Sequence, residues 1–232
     1  IYLDCPSVGT TNNIMIAAVR AKGKTIIENA AKEPEIVNVA TFLNNMGAKI
    51  TGAGTSEIRI TGVNKLHGGF SEVIPDRIEA GTYIIAGALV GNNLKVDNII
   101  PEHIEPLLLK LKEMGVNVEI NDDNVIISKT ANLKKVSVKT LGYPGFPTDL
   151  QQPLTTLLTY CKGRSILEET IYENRFQNVE YLNKMGANIE IHDKKIYVNG
   201  PTELHGEEVK STDLRAGACL VLAGLVADGK TT

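Results

Sequence analysis

The sequence predicts an α/β fold built from repeated βαβαββ units, with the helices packed together and small sheets left outside. The first observation behind this is a period of about 70 residues. Met46-Gly47-Ala48, Met114-Gly115-Val116 and Met185-Gly186-Ala187 each run straight into an alternating strand, and their glycines stand 68 and 71 residues apart. The second is an upstream glycine series, Gly23, Gly91 and Gly163, which leads the first by 24, 24 and 23 residues and continues at Gly229. Two landmarks sharing one period mark an array of a single supersecondary unit. The third is the change of hydrophobic period, from helical to alternating, inside every unit.

Taken in order, Ile1-Tyr2-Leu3 reads as a strand already under way. Each unit then opens with a small-residue or proline turn and an apolar helix, predicted over residues 10–19, 78–90, 150–160 and 214–226. The upstream glycine is expected to end that helix as a C-cap. A short apolar strand follows, as in Thr25-Ile26-Ile27 and Ser165-Ile166-Leu167. The second helix of the first unit carries Pro34 in its first turn, where a missing N–H costs nothing. Val39, Phe42, Leu43 and Met46 then share one helical face. Ile104, Leu107, Leu108, Leu111 and Met114 repeat that face, as do Phe176, Val179, Leu182 and Met185.

Two alternating strands close each unit. Val118-Glu119-Ile120 and Val125-Ile126-Ile127 are joined through Asp122-Asp123, and Ile189-Glu190-Ile191 and Ile196-Tyr197-Val198 through Asp193, which is hairpin patterning. Three such units around a pseudo-threefold axis would close on their helices. The first hairpin is expected to end near Val73 and Pro75 to begin the next helix, so a domain border falls between residues 74 and 75.

A composition that is 43% hydrophobic suffices for one core or two. A net charge of −3, with acids and bases interspersed, recommends neither nucleic acid nor a membrane surface as partner. No run approaches the roughly 18 apolar residues of a membrane span, and no signal peptide is visible. The absence of an initiator Met and the stop at Thr232, after one helix of a fourth copy, lead to the expectation of a piece from a longer protein. Cys5, Cys161 and Cys219 lack metal-ligand spacing and have apolar neighbours, which reads as buried, reduced thiols of a cytosolic protein. His67 and His205 recur in Leu-His-Gly phrases, and with His103 and His192 they form no ligand cluster, so no metal is expected. Residues 224–231 match the P-loop pattern, but a helix rather than a strand precedes them, and we reject nucleotide binding there.

The candidate chemistry lies in turns that open helices. Pro75-Asp76-Arg77, Pro147-Thr148-Asp149 and Ser211-Thr212-Asp213-Leu214-Arg215 occupy equivalent positions. Asp and Thr there are ordinary N-caps. In a pseudo-symmetric domain, however, equivalent turns gather at one end, and helix N-termini favour anions. Asp149 follows Gly145-Phe146-Pro147, a stiff turn able to hold a general base. Arg175, read as lying at the start of a second helix, opposes the helix dipole there and is expected to face an anionic group of substrate or protein. Glu33 begins the second helix of the first unit as an ordinary dipole partner. Ser7-Val8-Gly9-Thr10-Thr11 is a small turn able to present N–H groups to a phosphate or sugar.

Five phrases carry a resemblance to a known family. They are residues 29–36 (Asn-Ala-Ala-Lys-Glu-Pro-Glu-Ile), Ile74-Pro75-Asp76-Arg77-Ile78-Glu79, Phe146-Pro147-Thr148-Asp149, Glu173-Asn174-Arg175-Phe176 and Thr212-Asp213-Leu214-Arg215-Ala216. In order and spacing, over the whole chain, they resemble the UDP-N-acetylglucosamine enolpyruvyl transferases. The resemblance implies an inside-out α/β barrel of six βαβαββ units in two domains, with the active site between them. Residues 1–74 would be the last unit of one domain, and residues 75–232 most of the other.

The implied reaction moves the enolpyruvyl group of phosphoenolpyruvate to the 3′-hydroxyl of UDP-N-acetylglucosamine, releasing phosphate, as the first committed step of peptidoglycan synthesis in the cytoplasm. No metal or organic cofactor is implied. By resemblance Asp149 contacts and deprotonates the 3′-hydroxyl, Asp213 is a second active-site acid, and Arg215 and Arg175 lie near phosphate and carboxylate. Ser7, Val8, Gly9 and Ile171 contact the nucleotide sugar, and Glu33 is an acid near the cleft. The family's lysine–asparagine pair, its cysteine-bearing loop and one phosphate-binding arginine match nothing in this chain. These 232 residues alone are therefore expected to show no turnover and to need the remainder of the polypeptide. A different class of reading, a non-catalytic repeat module used for binding or scaffolding, treats the same turns as helix caps only.

Overall fold

The computed structural model describes residues 1–232, which form two compact units: Ile1–Ile74 with Gly142–Pro144, and Pro75–Leu141 with Gly145–Thr232. In the first, α1 (Val8–Ala18) starts on Ser7, whose hydroxyl accepts the Thr10 N–H at 3.2 Å. β1 (Lys24–Glu28), α2 (Pro34–Asn45), β2 (Lys49–Thr51) and β3 (Glu57–Thr61) follow. β3 is the central strand, antiparallel to both neighbours, so Lys24, Thr61 and Lys49 stand in one row. The alternation then turns Ile27, Ile50, Ile58 and Ile60 inward, onto Met15, Ile36, Ala40 and Leu43 of the helices.

The second unit repeats the plan twice and begins a third copy. α3 (Arg77–Val90), β4 (Leu94–Asp97), α4 (Glu105–Met114), β5 (Asn117–Ile120) and β6 (Asn124–Ser128) make one repeat. β7 (Ser137–Lys139), α5 (Gln151–Leu158), β8 (Gly163–Glu168), α6 (Asn178–Lys184), β9 (Ile189–His192) and β10 (Lys195–Gly200) make the next, and α7 (Leu214–Val226) follows. The sheets are separate, in the orders β4-β6-β5 and β7-β8-β10-β9, and only the β7–β8 pair is parallel. α5 is buried along its whole length and packs against both α3 and α7. Helices gathered inside and sheets outside are thus what the unit shows. Burying Leu150, Leu154, Leu157 and Leu158 completely contributes about 1.5–3 kcal/mol per side chain.

The Met-Gly phrases are helix ends. Gly47, Gly115 and Gly186 have φ of 97°, 88° and 99°, a left-handed conformation natural to glycine. The chain then returns over each turn: the N–H groups of His67, Lys134 and His205 donate to the carbonyls of Met46, Met114 and Met185 at 2.9, 2.9 and 2.8 Å. A Cβ on Gly47 or Gly186 would lie 3.1 Å from the His67 or His205 ring. The repeated Leu-His-Gly is therefore a structural turn.

Several expectations need correction. Gly91 does cap α3, at φ −67° with its N–H on the Gly87 carbonyl at 2.8 Å, whereas Gly23 and Gly229 (φ 89° and 90°) lie beyond the helix ends and Gly163 (φ 101°) is the first residue of β8. Gly23 and Gly163 lead the chain into β1 and β8, and none of these three is the cap expected. The leading strand of the unit is complete only as β7; Tyr2 makes a single bridge to Glu28, and no strand lies between β3 and α3. The first hairpin ends at Thr61 rather than near Val73, and α3 begins at Arg77 on an Asp76 cap. Cys5 is exposed, unlike Cys161 and Cys219. Gly224 lies inside α7, so the strand that a P-loop requires is not there.

Candidate active site

The three equivalent aspartates part company in the structure. Asp76 caps α3, accepting the N–H groups of Ile78 and Glu79 at 2.8 and 3.2 Å. Asp213 caps α7, accepting those of Arg215 and Ala216 at 2.8 and 2.9 Å. Asp149 caps nothing. It sits in a single 3-10 turn, Thr148–Leu150, inserted between Pro147 and α5, and that turn swings its carboxylate away from the helix N–H groups.

The carboxylate meets two arginines instead. Arg175 Nη2 lies 2.7 Å from Asp149 Oδ1, and Arg215 Nη2 lies 3.0 Å from Oδ2. Both arginine side chains are mostly buried (16% and 24% exposed), so this clamp is less screened than an ordinary surface pair. Burial pushes the Asp149 carboxyl up, but the charges of Arg215 and Arg175 and their hydrogen bonds outweigh it and hold the group below the ordinary 3.8. Asp213 is also held low, burial being overcome by the Ala216 and Arg215 N–H groups. Its Oδ2 lies 3.5 Å from Gln152 Nε2, which ties the cap to the same neighbourhood.

Arg175 is fixed from several sides. It precedes α6 by three residues rather than standing in its first turn, so the dipole argument does not apply to it. Nη1 donates to Thr148 Oγ1 at 2.7 Å, Cζ stands 4.5 Å over the Tyr172 ring, and its carbonyl accepts Gln152 Nε2 at 3.2 Å. Ile171 is exposed, and its N–H donates to Glu169 Oε1 at 2.8 Å. Asp149, Asp213, Arg175, Arg215 and Ile171 thus come together in the second unit.

Ser7, Val8, Gly9 and Glu33 belong to the first unit. Ser7, Val8 and Gly9 open α1, and a Cβ on Gly9 would meet nothing within 4 Å. Glu33 precedes Pro34 without capping α2; its Oε1 accepts the Tyr143 N–H at 3.3 Å, and its buried Oε2 has no hydrogen-bond partner. No group of three His, Cys, Asp or Glu side chains is placed to hold a metal ion.

Sequence reasoning missed Glu169 and Thr140. Glu169 is 1% exposed and bonded to three segments around Asp149. A signal was present: Ser165, Leu167 and Glu169 follow a period of two, which continues the buried face of β8 onto a carboxylate just past its end.

On their own, fold and site define a repeat α/β protein that clamps a carboxylate between two arginines. The chain belongs to the EPSP synthase family: the family profile, described as EPSP synthase (3-phosphoshikimate 1-carboxyvinyltransferase), matches residues 1–232. It is 60% identical, over all of its length and 54% of the relative's, to UDP-N-acetylglucosamine 1-carboxyvinyltransferase 2 of Bacillus subtilis. It is similar to the crystal structure of the enolpyruvyl transferase NikO from Streptomyces tendae, at TM-score 0.88 and 29% identity over 96% of this chain and 54% of that one. EPSP synthase from Acinetobacter baumannii shares the fold, at TM-score 0.70 and 20% identity over 99% of this chain and 56% of that one. The chain spans about half the length of the curated relatives it matches.

Proposed function

We propose that these residues are part of a UDP-N-acetylglucosamine 1-carboxyvinyltransferase, which joins the enolpyruvyl group of phosphoenolpyruvate to the 3′-hydroxyl of UDP-N-acetylglucosamine and releases phosphate. On this reading the enzyme serves peptidoglycan synthesis in the cytoplasm, and no helix of the chain is long and apolar enough to cross a membrane. The observation that carries the proposal is the Asp149 carboxylate held between Arg175 and Arg215 in place of a helix cap. The relatives that share the whole of this chain, at 56–60% identity, bear that activity in their names.

The residues divide the work as follows. Asp149 takes the proton of the attacking hydroxyl as its oxygen bonds to C2 of phosphoenolpyruvate and C3 takes up a proton; the tetrahedral adduct then gives up a C3 proton and inorganic phosphate, the C2–O bond to phosphate breaking as the C2=C3 double bond returns. Arg175 and Arg215 turn toward the phosphate and carboxylate of the incoming substrate. Shared with those anions, their charge holds the Asp149 carboxylate less strongly, and its proton affinity rises when the hydroxyl needs a base. Asp213, fixed as the α7 cap, stands beside them as the second acid. Ser7, Val8, Gly9 and Ile171 serve the nucleotide sugar, and Glu33 is a further substrate-binding acid. The test is ligand binding by the full-length protein: UDP-N-acetylglucosamine should raise its Tm, by an amount that grows with ligand concentration. No shift at millimolar ligand would refute the assignment and leave a non-catalytic module.

A further inference from the structure

We propose that Glu169 is a positioning residue for the reaction, acting through Thr148 to set where the Arg175 guanidinium stands against Asp149; this rests on the transferase reading above. Glu169 follows β8 directly, and its carboxylate is enclosed. Oε1 accepts the Thr140 hydroxyl at 2.8 Å and the N–H groups of Ile171 and Tyr172 at 2.8 and 3.2 Å. Oε2 accepts the Thr148 hydroxyl at 2.8 Å. The carboxylate thus accepts four hydrogen bonds, three on Oε1 and one on Oε2, which offset the burial of the acid. Thr140 and Thr148 flank the segment 141–147, and Ile171-Tyr172 opens the stretch that reaches Arg175. One side chain therefore ties together Thr140, the Thr148 that precedes Asp149, and the Ile171-Tyr172 stretch that leads to Arg175.

The bond to Thr148 has a direction. Because the Thr148 hydroxyl must give its proton to Glu169, its lone pairs point to Arg175 Nη1, 2.7 Å away. That leaves Arg175 Nη2 on Asp149 Oδ1. Neither Glu169 nor Thr148 need touch the substrate. Their work is to fix the tilt of a guanidinium that Asp149 and an incoming anion share.

Glu169→Gln separates this role from anchoring. The amide oxygen still serves Thr140, Ile171 and Tyr172, while its NH₂ faces Thr148 and competes with Arg175 for the same oxygen. In the full-length enzyme, kcat/KM should fall roughly 10- to 100-fold, the range of one hydrogen bond to a charged group, with Tm nearly unchanged. The acid limb of the pH profile should move to higher pH as Arg175 loosens from Asp149. Thr148→Val should lose as much, Thr148→Ser should restore activity, and the double variant should be no worse than either alone.

Wild-type kinetics in a folded Glu169→Gln or Thr148→Val, multiplying losses, or an unmoved acid limb would overturn the proposal. Should Glu169→Gln fail to fold, the Thr148→Val and Thr148→Ser pair decides alone. A wild-type protein without turnover would sink the transferase reading only. Titration of the Asp149 carboxyl by carbon NMR would still test the relay, with an upward shift in Thr148→Val expected and no shift overturning it.

Discussion

Asp149→Asn tests the site most sharply, because the structure removes the bland account of this residue. Asparagine caps helices as well as aspartate does, so a cap would tolerate it. Asp149 accepts no backbone N–H as a cap and instead faces Arg175 at 2.7 Å and Arg215 at 3.0 Å. The amide can accept from one guanidinium, but its NH₂ then opposes the other, and two cations remain without the anion between them. Asp149 is about a third exposed (34%), so the loss is solvent-screened, and we expect about 1–2 kcal/mol of destabilisation rather than the 3–5 of a fully buried pair. Melting in denaturant at several pH values reads this.

The sign follows from the depressed carboxyl. Its value in the folded state lies below the 3.8 of the unfolded chain, so the stabilisation is present above that value and fades as pH falls through the folded one. The gap between wild type and variant should therefore be flat at neutral pH and narrow below about pH 4. In the full-length enzyme kcat should fall roughly 10²–10⁴-fold, as for loss of a general base. Near-wild-type kcat, or a stability gap that widens toward acid, would refute the argument, and Asp213 would be the next acid to test.

Asp213→Ala should cost about 0.5–2 kcal/mol through the lost α7 cap, and Asp213→Asn much less; equal losses in denaturant melts would deny the cap. A thiol reagent at pH 8 should label Cys5 promptly in the native protein. Cys161 and Cys219, pushed up to about 11 by burial, should wait for unfolding; three fast thiols would contradict the packing around α5 and α7.

Much of this fold was legible because its landmarks are local. A Met-Gly helix end needs only a glycine able to take positive φ, and Gly47, Gly115 and Gly186 do so. The hairpins at Asp122-Asp123 and Asp193 follow from alternation alone. Gly23, Gly163 and Gly229 were misread because a left-handed glycine serves a bend or the start of a strand as well as a helix end, and local sequence does not separate these uses. The site was half legible. Asp76, Asp149 and Asp213 look alike in sequence, and what distinguishes Asp149 is one 3-10 turn and two arginines, 26 and 66 residues further on. Glu169 escaped notice because its partners Thr140 and Thr148 are distant in sequence and unremarkable in type.

The most direct measurement of the central claim is phosphate release by the full-length protein given phosphoenolpyruvate and one of two acceptors. UDP-N-acetylglucosamine should support turnover with a stoichiometric enolpyruvyl adduct on its 3′-oxygen, and 3-phosphoshikimate should not. Turnover with 3-phosphoshikimate in its place, or with neither acceptor, would contradict the account.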